Sequence, residues 1–120
     1  MNNIYTKEQL EILNQYKNDF YSIDLTKGLD VSIQKDRNVE EDQEYMDIDP
    51  DSTVLCIQPT DSNNYDQSIS DILHAFFESD MEKWGLNEFA ETGVEFKGNE
   101  TQAMDWINSN PMLKFTGYIK

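Results

Sequence analysis

Asp47, Asp49 and Asp51 stand two residues apart, the repeat with which the oxygen ligands of a calcium-binding loop begin. Carboxylates so spaced suit a hard divalent cation such as calcium, magnesium or manganese. The rest of such a loop is missing. Its sixth position is Ser52 where a turn-forming glycine is needed, its twelfth is Gln58 where a bidentate Glu closes the shell, and Pro50 stiffens the middle. The trio therefore reads as a solvated acidic edge. A divalent-metal-binding module, or a metal-dependent enzyme using Asp47, Asp49 and Asp51, stands as the alternative of another class.

The single Cys, Cys56, and the single His, His74, would form a nucleophilic pair only if the fold joined them and a positive environment activated the thiol. Cys56 lies inside TVLCIQ, where a small buried hydrophobe is the simpler reading, and His74 falls on the polar side of a helix. There is no GxSxG, HExxH, CxxC pair or phosphate-cradling glycine loop. No catalytic, metal-ligating or cofactor-binding residue is assigned, and the chain is read as a binding protein and not an enzyme.

Charge is the feature with chemical content. The net charge is -15, and residues 39–82 contain thirteen acidic side chains and no Lys or Arg. The flanking stretches, 1–38 and 83–120, are each close to neutral. Along a strand, residues two apart lie roughly 6.6–7 Å apart on one side. On a helix, residues three or four apart lie about 5–6 Å apart at Cβ. At such separations carboxylates imitate a row of backbone phosphates. Glu40, Glu41, Asp42, Glu44, Asp47, Asp49 and Asp51 are candidates for one row, with Tyr45 as an anchor; Asp71, Glu78 and Glu82 are candidates for a second row beside it. Such a surface suits a Lys- and Arg-lined groove, with fast and salt-sensitive association. With nine basic residues in all, neither direct nucleic-acid binding nor an anionic membrane surface is expected.

The element that must position these rows is the stretch 66–85, DQSISDILHAFFESDMEKWG. Ile69, Ile72, Leu73, Phe76, Phe77, Met81 and Trp84 recur at helical spacing, Asp66 or Ser68 is suited to cap the start, and Gly85 to stop the end. Upstream, Thr6 to Gln9 form a capping box for a helix over 7–19, with Tyr5 and Leu10 as a hydrophobic staple. Extended chain is expected over 23–34, broken at 26–28, with Val31 and Ile33 alternating against polar residues. A strand over 45–49 would end at Pro50, and 53–58 reads as a central strand covered on both faces. Val94 to Phe96 form a short strand, Asn99 caps a helix to Asn108 with Ala103, Met104 and Ile107 inward, and Leu113, Phe115 and Ile119 alternate in a last strand. The order is about α-β-β-β-α-β-α-β. It predicts one α+β domain over 1–120, a twisted, mostly antiparallel sheet with helices on one face.

At 120 residues, a single domain buries roughly two thirds of its unfolded surface, and 12% aromatic content supplies a core. One Cys excludes an internal disulfide framework and suits a reducing cytoplasm; no leader-like apolar region or membrane span is visible. Eight Lys against one Arg, with abundant Asn, fit an AT-rich genome.

In size, charge pole, residue usage and αβ order the chain resembles small acidic phage-encoded anti-defence proteins, the DNA-mimic anti-CRISPR and anti-restriction type. No motif carries that resemblance, and no residue role is transferred by position. It implies occlusion of the DNA/RNA-binding site of a bacterial defence nuclease in the host cytoplasm. On the same physics, an immunity protein neutralising a basic toxin nuclease is the alternative, with Tyr45 and Tyr65 as anchors. A phage structural component, its charge incidental, is a third reading.

Overall fold

A computed structural model describes residues 5–15, 27–35, 48–60, 70–88 and 93–119, and its helices begin where side chains close the first turn. In α1 (Lys7–Gln15) the Gln9 N–H donates to Thr6 Oγ1 at 3.2 Å, and the Thr6 N–H donates to Gln9 Oε1 at 2.9 Å. Tyr5, expected to form a staple with Leu10 beside this box, reaches the core. Tyr5 is buried with its ring 5.9 Å from that of Phe76, while Leu10 is 46% exposed. A large ring gains more contact area against the core than against one leucine of its own helix. The predicted continuation over 16–19 lies outside the described residues.

The central helix, α2 (Ser70–Lys83), is interrupted at Phe77, whose φ of -131° and ψ of 28° are not helical. Leu73 and Phe77 are buried, and Phe76, Met81 and Trp84 pack against the same core. Gly85 takes a φ of 58°, and the Leu86 N–H reaches back to the Met81 carbonyl at 3.0 Å. That is the glycine-dependent stop its position predicts. The proposed caps Asp66 and Ser68 lie outside the described residues. In α3 (Glu100–Ser109) Asn99 and Gln102 form a second reciprocal box, and Ala103, Trp106 and Ile107 are buried. Met104 is partly buried against the same core, and Trp106 joins the inward residues expected.

Five strands form the sheet among the described residues: β1 (Leu29–Gln34), β2 (Thr53–Pro59), β3 (Asn87–Glu88), β4 (Gly93–Phe96) and β5 (Leu113–Ile119). Their order is β3-β4-β2-β1-β5, antiparallel except for the β1–β5 pair. Leu29, Val31, Ile33, Leu55, Ile57, Val94, Phe96 and Leu113 share one cluster with Leu73, Phe77, Ala103, Trp106 and Ile107, so the helices cover one face. This is the expected α+β architecture. On the other face Val54 and Glu95 are buried, together with Ile48, so β2 is covered on both sides.

Two strand expectations are corrected, and one strand had none. Of the strand predicted over 45–49, residues 45–47 lie outside the described residues. Ile48 and Asp49 are not strand but lead into a turn over 49–52, set by Pro50 and by the Asp49 side chain. The two-residue β3 carries no alternation from which to infer it. In β5 a register shift at Thr116 moves Tyr118 into line with Ile33 and Ile119 with Gln34. Ile119 therefore leaves the face of Leu113 and Phe115, and is 40% exposed.

Candidate functional site

The turn over 49–52 builds itself from local hydrogen bonds. Asp49 Oδ1 accepts from the Asp51 N–H at 2.9 Å, and the Asp49 carbonyl accepts from the Ser52 N–H at 3.1 Å, with Ser52 Oγ 2.7 Å from the same carbonyl. A short acid that folds back on the following amide is the usual chemistry of such a turn. Asp49 and Asp51 are exposed.

What fixes this turn to the sheet is Glu95. In β4 it alternates with Val94 and Phe96, so its side chain leaves the sheet opposite the helices. There it is fully buried, and its Oε2 accepts from the Asp49 N–H at 2.8 Å and the Ser52 hydroxyl at 2.7 Å. Lys97 Nζ lies 3.6 Å from the same oxygen. Glu95 Oε1 is buried and accepts no hydrogen bond. Sequence reasoning placed Glu95 in a strand but assigned it nothing. The available signal was the Val-Glu-Phe alternation, which puts its carboxylate on the face where Ile48 and Val54 also had to be buried.

The second row is carried elsewhere. Glu78 and Glu82 are exposed one turn apart on α2, after the break at Phe77. Of Asp71 only the backbone is described, in the first turn of that helix. Asp80, between the two glutamates, turns inward and accepts from Trp106 Nε1 at 3.0 Å, joining α2 to α3. Helix α2 covers one face of the sheet while the turn docks on the other. Of the described acids, Asp49 and Asp51 therefore stand on one layer and Glu78 and Glu82 on the other. Both approach the sheet end at Lys97, whose N–H donates to the Trp84 carbonyl at 2.9 Å. Glu40, Glu41, Asp42, Glu44, Tyr45 and Asp47, like Tyr65, lie outside the described residues.

No protein-family model matches the chain, and neither the curated proteins nor the solved structures compared with it give a match. The site is therefore weighed on its own geometry.

Cys56 is half-buried on the face opposite the helices, in register with Ser32, whereas His74 is exposed on α2. The sheet lies between them, so no Cys–His pair forms. Among the described residues no three His, Cys, Asp or Glu side chains are grouped as metal ligands. Asp49, the described member of the aspartate trio with a resolved hydrogen bond, spends Oδ1 on the turn.

One further charged group escaped sequence reasoning. Lys35 Nζ lies 2.7 Å from Glu100 Oε2 and 4.6 Å from the centre of the Tyr118 ring. The Tyr118 hydroxyl also bonds Glu100. Hydrogen bonds from Lys35 and then Tyr118 hold the Glu100 carboxyl below its usual range, and the same carboxylate raises both Lys35 and Tyr118. Separated by 65 residues, the Lys35–Glu100 pair becomes visible only when the end of β1 and the start of α3 lie together. All three groups are partly exposed, so the cluster acts mainly on titration and little on stability.

Proposed function

We propose that this protein is a non-enzymatic inhibitory binding protein whose acidic surface takes the place of nucleic acid in the basic groove of a bacterial defence nuclease. The single observation behind the reading is the charge pole, thirteen acids without a Lys or Arg over residues 39–82. Its described acids support it. Asp49 and Asp51 project from a hydrogen-bonded turn, and Glu78 and Glu82 from a helix, and none of the four is buried. Self-repulsion at such a charge costs stability, so the concentration of charge in one stretch suits a complementary surface better than simple solubility. The primary docking surface comprises the segment 40–51; Asp71, Glu78 and Glu82 form a secondary face. Its place of action is the cytoplasm of the bacterial host cell. No helix among the described residues is long and apolar enough to cross a membrane.

The test is an affinity capture from host lysate at low salt, eluted by a salt gradient, followed by substitution. Joint replacement of Glu40, Glu41, Asp42 and Glu44 by Lys is expected to abolish inhibition of the captured nuclease while the circular dichroism spectrum stays unchanged. Full inhibition by that folded variant overturns the reading. Capture of a toxin nuclease instead points to the immunity-protein alternative, on the same surface.

A further inference from the structure

Glu95 occupies a position where a carboxylate is costly. Its neighbours in β4 are Val94 and Phe96, its own face carries the buried Val54, and one of its oxygens has no hydrogen-bond partner. A buried charge satisfied on one oxygen only is weak evidence for stability, and an apolar side chain of similar volume is often as good or better there. What an apolar residue could not do is receive the Asp49 N–H and the Ser52 hydroxyl, which converge on Oε2. Those two bonds bracket Pro50 and Asp51. They join the turn to β4 across more than forty residues of sequence. The buried polar group therefore fixes orientation at the expense of stability.

We propose that Glu95 is a positioning residue: through its bonds to Asp49 and Ser52 it holds Asp49 and Asp51 in one fixed orientation for a cationic partner. This rests on the docking function proposed for the acidic surface. Lys97, 46% exposed and 3.6 Å away, offsets part of the buried charge without occupying Oε1. Preorganising a turn in this way limits the ordering cost at association and lengthens the life of the complex, while long-range attraction sets the encounter rate.

Two neutral replacements separate position from charge. Glu95→Gln keeps an oxygen for the two donors, whereas Glu95→Met removes it at similar volume; both lose the same charge. In the full chain, amide exchange at Asp49 is expected to accelerate about tenfold in Glu95→Met relative to Glu95→Gln, with no lower melting temperature. Against immobilised arginine-rich protamine at low salt, Glu95→Met is expected to dissociate roughly three- to tenfold faster than Glu95→Gln at equal association rate. Equal exchange and equal dissociation of the two variants overturn the proposal. Failure of the parent protein to bind protamine, with the exchange difference intact, counts against the docking function and leaves the fixing of the turn by Glu95 standing.

Discussion

Individual side chains in this protein divide between those that hold the fold and those left facing water, and residue type alone does not tell them apart. Asp80 is one of the thirteen acids of the pole, yet it serves as acceptor for the Trp106 indole. Glu95 lies outside the pole and is the acid most deeply engaged with it. Glu100 belongs to neither group and governs two titrations. Its folded carboxyl is lowered from 4.5, so the stability it adds is present above that value and is lost as pH falls through the lowered one. Tyr118 is raised from 10.0, so its contribution is complete below that value and is lost as pH rises through the raised one. Replacing Glu100 by Gln is expected to let Tyr118 ionise at a lower pH than in the parent protein. Ring-carbon NMR shifts of Tyr118, followed through an alkaline titration, measure this directly.

Helix boundaries were the most legible elements, because each depends on one or two adjacent side chains. Thr6 with Gln9, and Asn99 with Gln102, close their first turns as the four-residue spacing demands. Gly85 ends α2 for a reason that can be measured. A Cβ there would lie 2.6 Å from Lys97 Cγ, near the base of that side chain, in a backbone conformation that L-residues disfavour. Gly85→Ala is therefore expected to cost about 1–3 kcal/mol, read as a lower urea midpoint with an unchanged slope. Strand phase was less legible. The run LKFTGYI alternates without a break, and only Gly117, with a φ of 119°, hints that Thr116 is an extra residue. Pairing with β1 decides the outcome, and a partner eighty residues distant leaves no local trace. The acidic turn was hidden for the opposite reason. Its aspartates were evident, but their anchor sits in another strand and reads as an ordinary exposed glutamate until the second buried face is known. The placing of Asp49 and Asp51 on one layer and of Glu78 and Glu82 on the other was likewise beyond periodicity, which gives faces of elements and not layers of a fold.

At the scale of the whole molecule, electrostatics oppose compactness. A net charge of -15 on 120 residues repels itself, and the few ion pairs that the described residues show are partly exposed. Added sodium chloride is expected to raise the urea midpoint steadily as the screening length shrinks from about 10 Å at 0.1 M toward 3 Å at 1 M. The same salt weakens any complex with a cationic partner. Opposite responses of folding and association, measured in one buffer series, would separate self-repulsion from docking; parallel responses would argue that the surface carries no attractive role.

Strand order also bears on how the chain is made. The antiparallel pair of β1 and β2 forms the middle of the sheet, and both its flanks, β4 on one side and β5 on the other, come from residues 93–119. During synthesis the central pair therefore emerges first with neither lateral neighbour yet available. Its backbone groups stay open along both sides until β4 and β5 have followed. A ribosome stalled before residue 113 would present β1 without its parallel neighbour, so for this molecule the closing act of folding waits on β5.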